Sequence, residues 1–311
     1  LPRLLNLPIR SEGDKVADNI KTPSIYLPKT LSDLIVEKGR NPDAVLFAGG
    51  TFLMTRPTSN DIISILGVPE LQKVTHTDRF LEIGSAITIE QLLNTGSYLL
   101  SKSTFNAIES IGTTVIRSRA TVGGALCSRS MRFSLSCILA TIGAQAEIRT
   151  IQRKGFRGKR IKSIQNWYSV RKLYSPSGDF MFGNNIVMTR VRIPARDDAV
   201  QIFRFLEAPM KNPSQAVYFG FEYTPNQNGI SQPTLCVAYP ETGFFFSQDF
   251  NSGLSSLSMP AEKKAVDEQC RILREKLSEA CPEITEVQKA RTIRLFTSVI
   301  QEISQQFMTL V

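Results

Sequence analysis

Histidine is nearly missing from this chain of 311 residues, His76 being the single one. It stands in Thr75-His76-Thr77-Asp78, a polar stretch that reads as a turn between two strands. One isolated imidazole rules out Ser-His-Asp hydrolysis, a His-rich metal site and a histidine-linked prosthetic group. Cysteine is scarce too. Cys127, Cys137, Cys236, Cys270 and Cys281 are odd in number, and no two stand at the two-residue spacing of a ligand pair. A zinc site, an iron–sulfur cluster and a disulfide framework are therefore set aside, and no metal ligands are expected. The thiols read as reduced and mostly buried. No apolar run approaches the ~18 residues of a membrane-spanning helix. Leu1 to Arg10 mixes Pro and Arg with Leu and lacks the apolar core of a secretory signal. A cytoplasmic location is the default expectation. The numbering opens on Leu1 rather than Met, so a short N-terminal piece is expected to precede it.

What is present describes an ordinary globular chain. Its length suffices for two or three packed units. Hydrophobic residues make up 42% and charged residues 21%, as in soluble domains generally. The net charge of +9 is concentrated in Arg149 to Lys162. That segment carries Arg149, Arg153, Lys154, Arg157, Lys159, Arg160 and Lys162 with no acid among them. It reads as a solvated hairpin tip or as a docking surface for an acidic protein partner. Nucleic-acid binding is not expected, because aromatic interleaving is thin and no recognition motif accompanies the charge.

Along the chain, residues 1–22 read as an irregular N-terminal arm. Ser24 to Pro28 is a short strand, and Thr30 caps a helix bearing Leu31, Leu34, Ile35 and Lys38. Asn41-Pro42-Asp43 ends that helix. Ala44 to Ala48 is a continuous apolar run, the mark of a buried strand, and Asp61 to Leu66 is another. Residues 23–79 thus form a small α/β lobe with parallel pairing. From 80 to 195 the pattern becomes an antiparallel sheet with helices. Phe80 to Gly84, Ala144 to Thr150 and Ile186 to Ile193 are its strands. Thr88 to Leu93, Ser101 to Ile111 and Ser134 to Ile142 are its helices, and 112–130 is a Gly- and Arg-rich loop. Residues 196–311 read as an α+β unit. Its strands are Gln201 to Leu206, Ala216 to Tyr223 and Leu235 to Tyr239. One helix carries Val266, Cys270, Leu273 and Leu277. A second stripe runs through Val287, Ala290, Ile293, Val299, Ile300, Ile303 and Phe307.

The chemistry-bearing features are two Gly-Gly pairs. Ala48-Gly49-Gly50-Thr51 follows the first buried strand, and Thr121-Val122-Gly123-Gly124 follows a loop with Arg117 and Arg119. Glycine lets backbone amides converge in a concave nest and lets a ligand approach closely. A diphosphate requires such a nest, a hydroxyl such as that of Thr51 or Thr121, and a nearby guanidinium. Each pair taken alone is more often a plain turn. Neither is a G-x-G-x-x-G element or a P-loop, so a Rossmann dinucleotide site and a nucleotide hydrolase are both excluded.

Four stretches taken together are more specific. They are Pro23 to Thr51, Ile83 to Ile89, Ile116 to Gly124 with Leu139 to Ala144, and Ile186 to Pro194. In order and spacing, Ser24 through Ile193 resembles the FAD-binding domain of the molybdenum hydroxylase family, found in xanthine dehydrogenase and the carbon monoxide dehydrogenase flavoprotein. The resemblance implies an α+β fold. It comprises a two-lobed p-cresol methylhydroxylase-type FAD-binding domain followed by a C-terminal α+β domain, with a three-stranded antiparallel sheet and helices.

The resemblance also implies roles. Ala48, Gly49, Gly50, Thr51, Phe52 and Leu53 would wrap the FAD diphosphate. Ile116, Arg117, Ala120, Thr121, Gly123 and Gly124 would hold it from the other side. Ser128 and Ser130 would lie near the ribityl chain or the phosphates, with Ser134 at the ribityl position. Ile186 and Val187 would pack by the flavin or adenine rings. The sequence departs from the family at Ala125, usually Asn, at Ser134, usually Asp, and at Phe52, often an acid. Arg129 and Arg132 are candidates to offset those losses by pairing with phosphate. No catalytic side chain is assigned.

As a family member the chain would bind FAD non-covalently. It would pass electrons between the iron–sulfur clusters of a partner and NAD or another small-molecule acceptor. The molybdenum cofactor and the clusters would reside on partner chains. One alternative is a degenerate homologue that has lost FAD and serves as a structural or assembly subunit. Another is a free-standing FAD oxidase of the same fold, against which the missing linkage histidine and short C-terminal domain weigh.

Overall fold

The computed structural model describes residues 23–55, 58, 60–96, 99–128, 134–154, 160–196, 198–207, 215–227, 229–240 and 242–309. The arm expected over 1–22 lies outside them, as does Ser130.

The first unit is built from β1 (Ile25–Tyr26), α1 (Leu31–Arg40), β2 (Val45–Phe47) and β3 (Ile62–Ser64). The strands are parallel, in the order β1-β3-β2. The expected cap forms, with Thr30 Oγ1 accepting from the Asp33 amide at 3.1 Å. Leu34 of α1 packs on Ile63 of β3, and Ile151 and Val187 of the next unit close the same core. Lys38 stands against this packing. It is buried, and its Nζ donates to the carbonyls of Pro42 at 2.8 Å and Ala44 at 2.6 Å. Burial pushes its pKa down to about 8, partly opposed by Asp43. The unfolded chain binds that proton more tightly, with an ordinary pKa of about 10.4. The native state therefore carries the cost of a buried ammonium below pH 8, and stability rises as the pH climbs above 8 towards that unfolded value. Thermal melts across this window are expected to show the rise in the parent protein and not in Lys38→Met.

The second unit continues with β4 (Val74–His76), β5 (Phe80–Gly84), α2 (Ile89–Gly96), α3 (Lys102–Glu109), α4 (Thr114–Arg117), α5 (Val122–Leu126) and α6 (Leu135–Thr141). It ends with β6 (Gln145–Lys154), β7 (Arg160–Ser169) and β8 (Ile186–Pro194). The sheet order is β4-β5-β8-β6-β7, with every neighbouring pair antiparallel. Three expectations are corrected. His76 lies on a strand, because the turn begins one residue later, where the Thr77 amide donates to Phe80. The loop expected over 112–130 holds two short helices, each capped by a threonine, Thr113 and Thr121. The strand expected to end at Thr150 runs on to Lys154. In that extension Arg153 is not free for docking, since its guanidinium donates to the carbonyls of Gly39 and Arg40 at the end of α1. Arg157 and Lys159 lie outside the described residues.

The C-terminal unit holds β9 (Val200–Leu206), β10 (Val217–Asn226), β11 (Gly229–Tyr239), β12 (Gly243–Phe245), α7 (Gln248–Leu254), α8 (Lys263–Ala280) and α9 (Glu286–Thr309). Its antiparallel sheet has four strands, not the expected three, in the order β12-β11-β10-β9. The added strand, β12, is only three residues long and gives no alternation to read. On β10, Val217, Phe219, Phe221 and Tyr223 point toward α8 and α9, while Tyr218 joins the core of the second unit. Between those layers lies α6, all of whose residues are buried.

Candidate functional site

The segment 84–89, between β5 and α2, is the frame of the site. The Ser85 amide donates to Thr189 of β8 at 3.0 Å, and the Ala86 amide donates to Leu71 at 2.9 Å. Going the other way, Ser85 and Ile87 carbonyls accept from the amides of Gly123 and Val122, both at 2.9 Å, and the Ile89 amide donates to Ala120 at 2.9 Å. The turn carrying the second glycine pair is thereby laced to the sheet.

The first glycine loop then rests on that turn. A Cβ added to Gly49 would stand 1.5 Å from the Arg119 carbonyl oxygen, so only glycine permits the contact. Gly50 adopts φ +73°, a left-handed conformation that suits glycine. The chain turns there, and the Met54 amide donates back to Gly50 at 3.0 Å. Among the described residues the amides of Gly49, Gly50 and Thr51 donate to no carbonyl or side chain. Unsatisfied amides at a left-handed turn are the local structure of an anion nest. Ala48, Thr51, Phe52 and Leu53 are half-buried around it.

The second pair meets the first at close range but differs in character. From an added Cβ on Gly124 the distance to Ala48 Cβ would be 4.0 Å, and Gly124 itself is exposed. The Gly123 and Gly124 amides are nevertheless spoken for, by Ser85 O and by Thr121 Oγ1 at 3.1 Å. This pair supplies close approach, not open amides. A Cβ on Gly123 would lie 2.6 Å from that of Ser85. Thr121 is buried with its hydroxyl engaged as a cap, and Ala120 is fully buried.

Arg117, expected to meet phosphate, is committed elsewhere. Its Nε donates to Glu90 at 2.9 Å, and its Nη1 donates to the carbonyl of Glu109 at 2.7 Å and that of Gly112 at 3.2 Å. It ties the end of α3 to α2. Ile116 is exposed beside Gly112. Ser128 is buried and donates to Ala125 O at 3.0 Å. Ser134 is buried at the start of α6 without a side-chain cap bond. Val187 is enclosed in the core with Leu34 and Ile63, which withdraws it from any open ring-binding wall, whereas Ile186 is half-buried.

Two residues absent from the expected site belong to its geometry. Arg119 is exposed, forms no ion pair among the described residues, and its own carbonyl carries the Gly49 contact. Ser85 is buried with an Oγ that has no hydrogen-bond partner, directly beneath Gly123. A loop arginine adjacent to the glycine pair was the available signal for the first; nothing in the sequence marks the second. Open amides at a left-handed turn, beside a cradle that an added Cβ would fill, fit the diphosphate of a dinucleotide such as FAD. Among the described residues no group of three His, Cys, Asp or Glu side chains could hold a metal ion, and no helix is long and apolar enough to cross a membrane.

Comparison with known proteins agrees. A family model described as the FAD binding domain in molybdopterin dehydrogenase matches residues 18–196. Aldehyde oxidase 4 of Mus musculus is 34% identical over 150 residues, which is 43% of this chain and 11% of that protein. The chain thus spans about a tenth of that relative. Carbon monoxide dehydrogenase from Hydrogenophaga pseudoflava, in a form lacking the Mo-pyranopterin moiety, superposes with a TM-score of 0.71 at 14% identity, over 91% of this chain and 96% of that one. Quinoline 2-oxidoreductase from Pseudomonas putida 86 gives 0.68 at 15% identity, over 92% and 96%. At such identities the likeness is one of fold, and it extends through the C-terminal unit.

Proposed function

The chain belongs to the family of FAD-binding domains in molybdopterin dehydrogenases, and on that premise we propose that it is the flavin-carrying electron-transfer subunit of a molybdenum-hydroxylase-type oxidoreductase. Bound FAD would supply the redox chemistry, accepting electrons from iron–sulfur clusters and passing them to NAD or another small acceptor. The chain's own work is to bind and orient. The amides of Gly49, Gly50 and Thr51 would hold the diphosphate, with the Arg119 guanidinium balancing its charge. Gly124, exposed opposite Ala48, has no side chain to obstruct a dinucleotide lying across the two loops. No side chain is assigned a proton-transfer role, since outer-sphere electron transfer needs none. The molybdenum cofactor and the clusters would belong to partner chains, in a cytoplasmic complex.

The observation that carries this reading is the meeting of the two glycine loops at Gly49 and Arg119. It is the reason to prefer a flavoprotein to a subunit that has lost its cofactor, since such close packing around open amides has no evident use without a ligand. The purified chain is expected to show the paired near-ultraviolet and blue absorbance bands of oxidised flavin, or to gain them on adding FAD. A well-folded protein that purifies colourless and takes up no FAD overturns the proposal and leaves a scaffold subunit.

A further inference from the structure

The five-stranded sheet of the second unit has an open side. Its edge strand there is β7, which pairs with β6 alone. At ten residues β7 is the longest sheet edge among the described residues, against three for β4 and seven for β9. Its pairing with β6 runs from Arg160 to Ser169 without a bulge, and the strand holds no proline. Short length, bulges and proline are common guards of an exposed edge, and β7 has none of them.

The ladder fixes which groups are open. The Val170 amide donates to the Ala144 carbonyl at 2.9 Å, continuing the register of β7 on β6. Bonded and unbonded pairs alternate along an antiparallel ladder. Even-numbered residues of β7 therefore bond β6, and the amides and carbonyls of Ile161, Ser163, Gln165 and Trp167 point outward. Among the described residues no strand pairs with that row and no loop backbone bonds it. Gln165 is exposed and the other three are half-buried, so the row is within reach of a second chain.

Charge selects the occupant. β7 carries no acid. Arg160 stands directly opposite Lys154 across the ladder, and Lys162 lies on the same face of the sheet. All three are exposed and form no ion pair among the described residues. Like charges opposed across a ladder destabilise it, so carboxylates laid along this face would relieve a repulsion already present. Ile164, 45% exposed on that face, offers an apolar contact between the charges. A second copy of the chain would bring the same cations to the edge, which disfavours self-pairing.

We propose that β7 is a docking edge that takes up an extended acidic segment of a partner protein as a further strand. Main-chain bonds to the row from Ile161 to Trp167 would hold the segment, and acids at alternate positions would face Arg160 and Lys162. This inference does not depend on flavin binding.

Fluorescence anisotropy of a labelled peptide of alternating Glu and Val, titrated with the purified protein, tests it. Saturable binding is expected, and none for the Lys-Val counterpart. With the Glu side chains over Arg160 and Lys162, the Val amides would face β7. Methylating those amides leaves the charge unchanged and should weaken binding by about tenfold or more. Ser163→Pro removes one outward amide and no bond to β6, a place where an edge strand tolerates proline. Its melting temperature should hold while peptide affinity falls by about tenfold. No saturable binding of the Glu-Val peptide, equal binding of the Lys-Val or methylated peptide, or undiminished affinity in a folded Ser163→Pro protein would each overturn the proposal. Dimerisation of the protein alone that Ser163→Pro abolishes would overturn it too, making a second copy the occupant.

Discussion

Gly49→Ala is expected to give a protein that purifies without flavin and does not regain it when FAD is added. The new Cβ would stand 1.5 Å from the Arg119 carbonyl oxygen and 2.4 Å from its carbon. Both are backbone atoms, and that stretch of backbone is fastened through Ala120, Val122 and Gly123 to the segment 85–89. Neither side can yield by rotating a side chain, so the loop must separate from the turn. Overpacking of this sort costs about 1–3 kcal/mol of stability. The cofactor should suffer as well, because moving the nest amides off the diphosphate loses hydrogen bonds to a charged group, each worth about 1.5–3 kcal/mol. Flavin absorbance per protein and a melting curve together read both effects. Gly183→Ala is the control, since a Cβ there meets nothing within 4 Å. If Gly49→Ala loads FAD as tightly as the parent, the contact between the loops has no part in binding.

The first glycine loop was legible because its signal is local. A buried strand, two glycines and a hydroxyl residue follow one another in the chain, and the strand ends where the apolar run ends. Thr30 was legible as a helix cap for the same reason, bonding an amide three residues on. Arg117 is engaged away from the glycine pair because its partners are set by a tertiary turn. The carbonyls of Glu109 and Gly112 close around it only after α3 ends and the chain doubles back. A cation beside a Gly-Gly pair looks the same on paper whether it faces a phosphate or a helix end, and the neighbouring Arg119 proves the less committed of the two. On α9 the expected stripe began at Val287, which is exposed, while Gln288 and Thr292 are buried. Gln288 donates to the Ala216 carbonyl at 3.3 Å and Thr292 pairs with the Tyr239 hydroxyl at 2.8 Å. Buried polar residues satisfied by partners far along the chain break the apolar periodicity that marks a helix face. For Val187 the alternation of β8 is legible, but the face it occupies is covered by the first unit, and a single strand carries no mark of which unit will cover it.

Glu147→Ala is expected to weaken both the fold and the flavin site, although Glu147 touches neither glycine loop. Its carboxylate is fully buried on β6 and gathers the sheet around itself. It accepts from Thr189 Oγ1 at 2.6 Å, from Arg190 Nε at 3.0 Å and from Gln165 Nε2 at 3.1 Å. Thr189 is also the residue whose carbonyl holds the Ser85 amide, and Ser85 in turn holds Gly123. Removing the carboxylate leaves the Thr189 hydroxyl only the Glu147 carbonyl at 3.4 Å, takes from Arg149 its ion-pair partner at 3.5 Å, and takes one partner from Arg190, which keeps Glu82 at 2.8 Å and is part-exposed. Breaking a buried ion pair costs ~3–5 kcal/mol when the survivor has no recourse. Arg190 has one, while Arg149, its Nε buried without a hydrogen bond, has no other ion pair among the described residues, so the expected loss is about 3 kcal/mol. Urea unfolding of Glu147→Ala and Glu147→Gln measures it. The amide can still accept from Thr189, so Glu147→Gln should recover part of the loss. FAD affinity should fall in the same order, alanine below glutamine, if the register of β6 on β8 is what sets Ser85 beneath the glycine turn. Alanine that loses stability while binding FAD as the parent does would separate the two and show that the site is held by segment 85–89 alone.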